Sequence, residues 1–430
     1  MGSIPHATNG ISSSEKAIRL AIIGGGIGGL CLAIGLLKQP HVDVQVYEAA
    51  STFSEIGAGV VIGNNAERAL QLIGSAAWQA MEKHATRNLW SSHSDIFQVF
   101  RVGVGEKEGA LISAPKNRSQ SVHRARFLDE LVKQVPAQRA HFNKRLQDLE
   151  ETEDGVILHF NDGTTATADV AIGADGVHSR VRELLVGEEA AKPVFSGAVI
   201  YRGLLPMDRA IEVIGPEDAQ NAVVLCGPGQ VALSYPIDFG KNLNCGVFHF
   251  GLKKWPHEKW IVPADHEELT SSFKDWGEPA RKIVKLLNLP TVSAWALFDS
   301  PPAPFFHRGR VAMMGDAAHA TTPFQGQGAG QAIEDACVLS ALFTKVVTPK
   351  DVPTALAAYD QIRRPRSQRV VQTSRETGHM LSMQLPGVGD DVEKMKQYLD
   401  TSMHWIWDRD LVAQNEDAVK LFEKLRCLES

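Results

Sequence analysis

Two glycine-rich turns, far apart in the chain, hold the residue types that could do chemistry. The first is Gly24-x-Gly26-x-x-Gly29, set between two apolar runs. Glycines at this spacing permit a tight turn, close approach of a pyrophosphate and close packing of the helix that follows. Glu48, about twenty residues on, stands where a carboxylate would take the hydroxyls of an adenosine ribose. The second turn lies in "MMGDAAHATTPFQGQGAGQAIEDA", Met313 to Ala336. An apolar run stops at Gly315, and Asp316, Pro323 and the stretch Gly326 to Gly330 follow before a helical pattern resumes. Asp316, ending a strand, can accept a hydrogen bond from a sugar-like hydroxyl. The amides around Gly328 and Ala329 open a helix and form a nest of donors. With the helix dipole behind it, such a nest suits a ring that gains negative charge on reduction, as a flavin does at its pyrimidine edge. A side chain at these glycines would collide with the ring, and Pro323 would stiffen the wall beside it. The two turns together predict FAD.

Elements of matching type must position these turns. Arg19 to Ile23 reads as a strand, Gly29 to Leu37 as the helix after it, and "VDVQVYEAA" as a second strand ending at Glu48. The uncharged run Leu20 to Leu37 has eighteen residues, long enough to imitate a membrane span. Its glycines between 24 and 29 would break such a helix, so strand, turn and buried helix is the better reading. "RARFLDELVKQV" has helical apolar spacing, and "GVILHFNDGTTATADVAIGADG" reads as a strand, a turn and another strand. From about Phe195 to Phe298 short strands separated by turn residues predict a mostly antiparallel sheet. The α/β texture returns at "RVAMMGD", and beyond Gly330 nearly everything reads helical. The chain divides accordingly into a disordered leader (1–16), a discontinuous FAD-binding region (17–190 and 299–345), a β-rich substrate-binding insertion (191–298) and a helical end (346–430).

Bulk composition excludes other classes. A net charge of -6 over 430 residues argues against nucleic acid as the main partner. Five scattered cysteines, never in C-x-x-C spacing, read as reduced thiols in a cytoplasmic protein without a metal site. The terminal Cys427-Leu-Glu-Ser is discounted as a prenylation signal, because Glu429 is not aliphatic. His319 reads as a structural hydrogen-bonder, the cluster Arg363, Arg364, Arg366 and Arg369 as a solvated or salt-bridged helix face, and Trp405 and Trp407 as core cover.

Three motifs, "GGGIGG", "GADGVHSRVR" and "GDAAHATTPFQGQGAG", line up as in the class A FAD-dependent aromatic hydroxylases. The chain most resembles their salicylate hydroxylase (salicylate 1-monooxygenase) branch, nearly end to end, through "SVHRARFLDELV", "FSGAVIYRGLL", "AYDQIRRPRSQRV" and "HWIWDRDL". The resemblance implies a p-hydroxybenzoate hydroxylase-like α/β fold with tightly but non-covalently held FAD. It implies that Glu48 binds the adenosine ribose, that Ala58 or Gly59 lies against the cofactor, and that Arg124 meets its phosphate and ribityl region. Asp175 would serve both FAD and a transient visit of NADH or NADPH, and Asp316 with Ala329 would hold the flavin end. Arg202 and Tyr235 match positions that activate substrate in related phenol hydroxylases; an arginine is permanently cationic and suits a phenolate or carboxylate. In such enzymes NAD(P)H reduces the flavin, O2 adds at its C4a atom, and an ionised phenol takes the distal oxygen. The implied reaction is salicylate to catechol with loss of CO2, in a monomer or homodimer. Tyr235, where some salicylate hydroxylases are expected to carry Phe, leaves open a phenol hydroxylase of a polyketide pathway. A flavin-dependent isoprenoid reductase and a non-catalytic FAD sensor are the remaining alternatives.

Overall fold

The computed structural model describes residues 17–53 and 59–429, so the predicted leader and Ala58 lie outside it. Ile18–Ile23 (β1) turns into Ile27–Leu36 (α1) and returns as Val42–Tyr47 (β2). Val99–Val102 (β3), Leu111–Ser113 (β4) and Arg124–Val132 (α2) follow, then Gly155–Phe160 (β5), Thr165–Ala168 (β6), Val170–Gly173 (β7) and Arg180–Val186 (α3). Val194–Pro206 (β8), Val223–Gly227 (β9), Gln230–Ile237 (β10), Asn242–His249 (β11) and Ser293–Asp299 (β12) come next. Val311–Met313 (β13) leads to the long helices Gly328–Phe343 (α4) and Val352–Leu381 (α5).

The fold is α/β. β1 is apolar almost throughout because it pairs in parallel with β2 on one side and β7 on the other, and β7 pairs in parallel with β13. Helix α1 buries nearly its whole circumference between this sheet and α4, which explains a helix apolar on every side. β2 alternates as predicted, with Val42, Val44 and Val46 buried and Asp43 and Gln45 turned outward. The run that imitated a membrane span is therefore β1, the glycine turn and α1. Among the described residues no helix is long and apolar enough to cross a membrane.

Two expectations about strands need correction. "TATADVAIG" is not one strand. It breaks at Asp169, whose carboxylate accepts hydrogen bonds from the Arg19 amide at 2.8 Å and its guanidinium at 2.6 Å. The half before the break, β6, pairs antiparallel with β5, while β7 joins the parallel sheet. One aspartate thus moves the chain from one sheet to another.

The second large sheet has eight strands in the order Ile261–Pro263, β12, β8, β11, β10, β9, β3, β4. It is mostly antiparallel, as expected. Its last two members, however, come from inside the stretch assigned to FAD binding, and β3 pairs with β9 in parallel. Along its strands, side chains alternate between two destinations. Tyr201, Leu243, Cys245 and Val247 pack under helices Met207–Ile214 and Glu278–Leu286. Arg202, Tyr235, Asn244 and Trp295 face the other way, toward a large cavity shared with the α/β half.

Candidate active site

The cavity, about 850 Å³, opens at the carboxyl ends of β1 and β7, where the sheet's connections diverge to either side. Gly24 turns the chain there at a φ of +111°, and a Cβ on it would stand 2.2 Å from the Ala174 carbonyl oxygen, so only glycine fits. A Cβ on Gly29 would stand 2.1 Å from the Gly24 oxygen, which ties α1 tightly to its own entry turn. Gly26 is the residue before α1. Neither α1 nor α4 has a side-chain cap or an acid in its first turn, so two sets of unpaired helix-start amides front one space.

All predicted site residues within the described chain line this cavity. Their local arrangements differ. Glu48 sits on the wall at the end of β2, but its Oε2 accepts from the Gly25 amide at 2.8 Å and its Oε1 from the Ala50 amide at 2.8 Å. The carboxylate thus braces the glycine turn at the cavity wall. Asp175 is occupied differently: its carboxylate takes the Ser179 hydroxyl and the amides of Arg180 and Val181 at 2.8 and 3.1 Å. It caps the start of α3, so its side chain orders the loop. Asp316, by contrast, is exposed to the cavity and makes no hydrogen bond or ion pair among the described residues. Pro323 opens a single tight turn, Pro323–Gln325, that leads into α4. Arg124 begins α2 on the same wall.

Arg202 and Tyr235 stand at the far end, on β8 and β10 either side of β11. The Arg202 guanidinium lies over the Trp295 ring, 5.3 Å from its centre, and has no ion pair or hydrogen bond among the described residues. Burial lowers its pKa from the ordinary value; the Tyr235 hydroxyl opposes that shift and the neighbouring Arg124 charge adds to it. Tyr235 is shifted up by burial and pulled back by Arg202. A Cβ on Gly59 would come within 2.9 Å of the Tyr235 hydroxyl, so a residue expected to meet cofactor and one expected to meet substrate converge on one spot.

The residues called structural behave as such. His319 is buried and bonds Asp335 at 2.6 Å. Trp407 is buried against Val370 and Ile406. The arginine cluster is salt-bridged at Arg363, Arg364 and Arg366 and exposed at Arg369: Arg363 is fully buried, bonding Asp335 at 2.7 Å and Glu334 at 2.6 Å. Arg366 bonds Glu334 at 2.7 Å and the carbonyls of Trp405 and Ile406. Glu334 also accepts from Asn65, which donates in turn to Gln327, the residue before Gly328. The cluster thus supports the glycine nest from behind. Sequence reasoning missed Asn244 and Trp295 on the cavity wall. Strand alternation was readable around both, but not which face would meet the cavity.

A glycine-rich, dinucleotide-type cradle opens onto a wall of apolar side chains, and the chain belongs to the FAD binding domain family, whose model matches residues 17–201 and 286–374. It is 48% identical over 417 residues to a 6-methylsalicylate 1-monooxygenase of Aspergillus terreus, covering 95% of this chain and 93% of that one. A salicylate hydroxylase of Pseudomonas putida is 37% identical, with 95% of this chain and 96% of that one aligned. A solved salicylate hydroxylase substrate complex superposes with a TM-score of 0.85 at 35% identity, over 95% of this chain and 99% of that one. The protein is an FAD-dependent aromatic monooxygenase of the salicylate-hydroxylase type. The residues present fit FAD. Asp316 is a carboxylate without a partner among the described residues, and the uncapped amides of α1 and α4 suit phosphates and a reduced flavin.

Proposed function

We propose that the substrate is an ortho-hydroxybenzoate of the salicylate class, hydroxylated at the ring carbon that bears the carboxylate, with NAD(P)H and O2 consumed and CO2 released. One observation carries this reading: Arg202 is a permanent cation without a counter-ion among the described residues, set in an apolar chamber next to the Tyr235 hydroxyl. Apolar side chains around an unmatched positive charge at this end of the cavity select a flat anion. The substrates for which two relatives are named, 6-methylsalicylate and salicylate, are such anions.

Bound FAD, once reduced, supplies the activated oxygen atom. The chain's own tasks are binding, orientation and proton control. Arg202 neutralises the carboxylate and holds the ring flat against the chamber. The Tyr235 hydroxyl meets the phenolic oxygen and favours its ionised form, which makes the ring electron-rich. Val224, Leu233 and Leu297 exclude water from the reacting face. One oxygen atom of O2 ends on the ring, the other leaves as water, and the carboxylate leaves as CO2.

A second reading, ring hydroxylation of a polyketide-derived phenol with no loss of CO2, is favoured by the tyrosine at 235. A panel of salicylate, 6-methylsalicylate, other hydroxybenzoates and resorcinol-type aldehydes distinguishes the two. Expected is NADH or NADPH oxidation stimulated by salicylates, with catechol-type product and CO2 formed in step. Product that keeps its carboxylate would support the second reading. Reduction of bound flavin with no oxygenated product from any phenol would sink both.

A further inference from the structure

Asn244 is a polar side chain without a partner at a place where none is easily tolerated. It is 5% exposed, and its Oδ1 has no hydrogen-bond donor within reach. Its Nδ2 donates to no described residue either. Turning the amide over exchanges the two atoms and leaves the same deficit. Buried polar groups are normally satisfied, because an unmade hydrogen bond costs free energy. The alternation of β11 explains where the missing partner must come from. Leu243 and Cys245 point under the helices, whereas Asn244 faces the cavity. In register it stands directly opposite Tyr235 on β10, and Arg202 lies diagonally across β8, opposite Gly246. Directly opposed side chains start about 5 Å apart at their Cβ atoms, a span that one oxygen atom can bridge.

We infer that Asn244 reads the ring hydroxyl of the substrate, and so sets the preference for ortho-hydroxy acids over their unhydroxylated counterparts. This rests on the substrate class proposed above. The hydroxyl lies between Tyr235 and Asn244: the carboxamide N–H donates to its oxygen, and does so most strongly once the phenol is ionised. Arg202 holds the adjacent carboxylate, so it does not distinguish salicylate from benzoate. A site that hydrogen-bonds a hydroxyl rejects the analogue lacking it, since its own polar groups then stay unpaired.

Binding to the oxidised holoenzyme, followed through the flavin absorbance change without turnover, tests this. Salicylate and benzoate are titrated into wild type, Asn244→Leu and Asn244→Val; the β-branched valine suits a strand if leucine disturbs it. The ratio of the benzoate Kd to the salicylate Kd is expected to fall about tenfold in the variants, the size of one lost hydrogen bond. The benzoate Kd and the FAD content hold at wild-type values. Arg202→Ala, in contrast, weakens both ligands and leaves their ratio unchanged. A ratio that stays at the wild-type value in both Asn244 variants overturns the inference and leaves the substrate class standing. If no phenolic acid perturbs the wild-type flavin, the substrate class itself falls, and this role falls with it.

Discussion

A methyl group built on Gly328 would meet Thr321 at 3.6 Å and Asp316 at 4.0 Å, both ordinary contacts. The polypeptide itself has room for alanine there, so a demand for glycine at 328 would have to come from a ligand in the cavity. Gly328→Ala should leave the apoprotein as stable as wild type, or gain up to about 1 kcal/mol from a less flexible unfolded chain. Its FAD affinity should drop at least about tenfold, the cost of displacing a ring from amides that held it. Titration of apoprotein with FAD checks this; undiminished affinity would mean that the α4 amides do not face the flavin. Gly24→Ala differs in kind, because its Cβ would meet backbone and the loss is one of folding. Arg202→Ala should retain FAD while weakening salicylate about 10- to 100-fold, the range of a charge-assisted hydrogen bond. Loss of FAD in that variant would mark Arg202 as a structural residue.

At the scale of elements, the back of β11 carries its own titratable group. His249 lies between Gln230 and Ser272, with ring contacts to Tyr201 and Phe273. Burial pushes its imidazole down to about 4. An unfolded histidine titrates near 6.5, so on acidification the unfolded chain takes up the proton first. The contribution is fully present above about pH 6.5 and is lost toward pH 4, with a limiting slope of about 1.4 kcal/mol per pH unit. Melting curves across that range should flatten in His249→Gln; an unchanged slope would place the acid sensitivity elsewhere. Elements defined by neighbours in sequence were legible beforehand: β1, the turn at Gly24 and α1 follow from apolar runs and glycine spacing alone. β3 and β4 were not, because "VFRV" and "LIS" become strands only when Val223 and its neighbours arrive beside Val99 from far along the chain. The break at Asp169 escaped notice for a similar reason, since its cause is Arg19. The cofactor half of the site was readable because its motifs are local. The polar end of the chamber needed the register of three strands, and Asn244 appeared only with it.

Across the whole molecule, one buried polar chain joins the C-terminal segment to the flavin cradle. It runs from the carbonyls of Trp405 and Ile406 through Arg366 and Glu334 to Asn65 and Gln327. Arg363 stabilises its centre by neutralising Glu334 and Asp335, and Asp335 in turn holds the Gly315 amide at 2.9 Å. Arg363→Met should cost about 3–5 kcal/mol, because it leaves two carboxylates buried with less compensation. FAD should dissociate more readily from the same variant, measured by dilution and fluorescence of the released cofactor. Wild-type stability together with wild-type retention would detach the arginine cluster from the cradle.

The interlacing of β3 and β4 with strands from the other half bears on how such chains can be recombined. An exchange of residues 194–299 between two relatives would import β9 without the parallel neighbour it was matched to, and would leave β3 facing a stranger. The opposite margin is also fixed, because the Ser113 hydroxyl on β4 donates to Asp400 in the helix Val392–Thr401. Chimeras should therefore assemble only when the crossover points carry 99–113 and the helical end along with the central cassette.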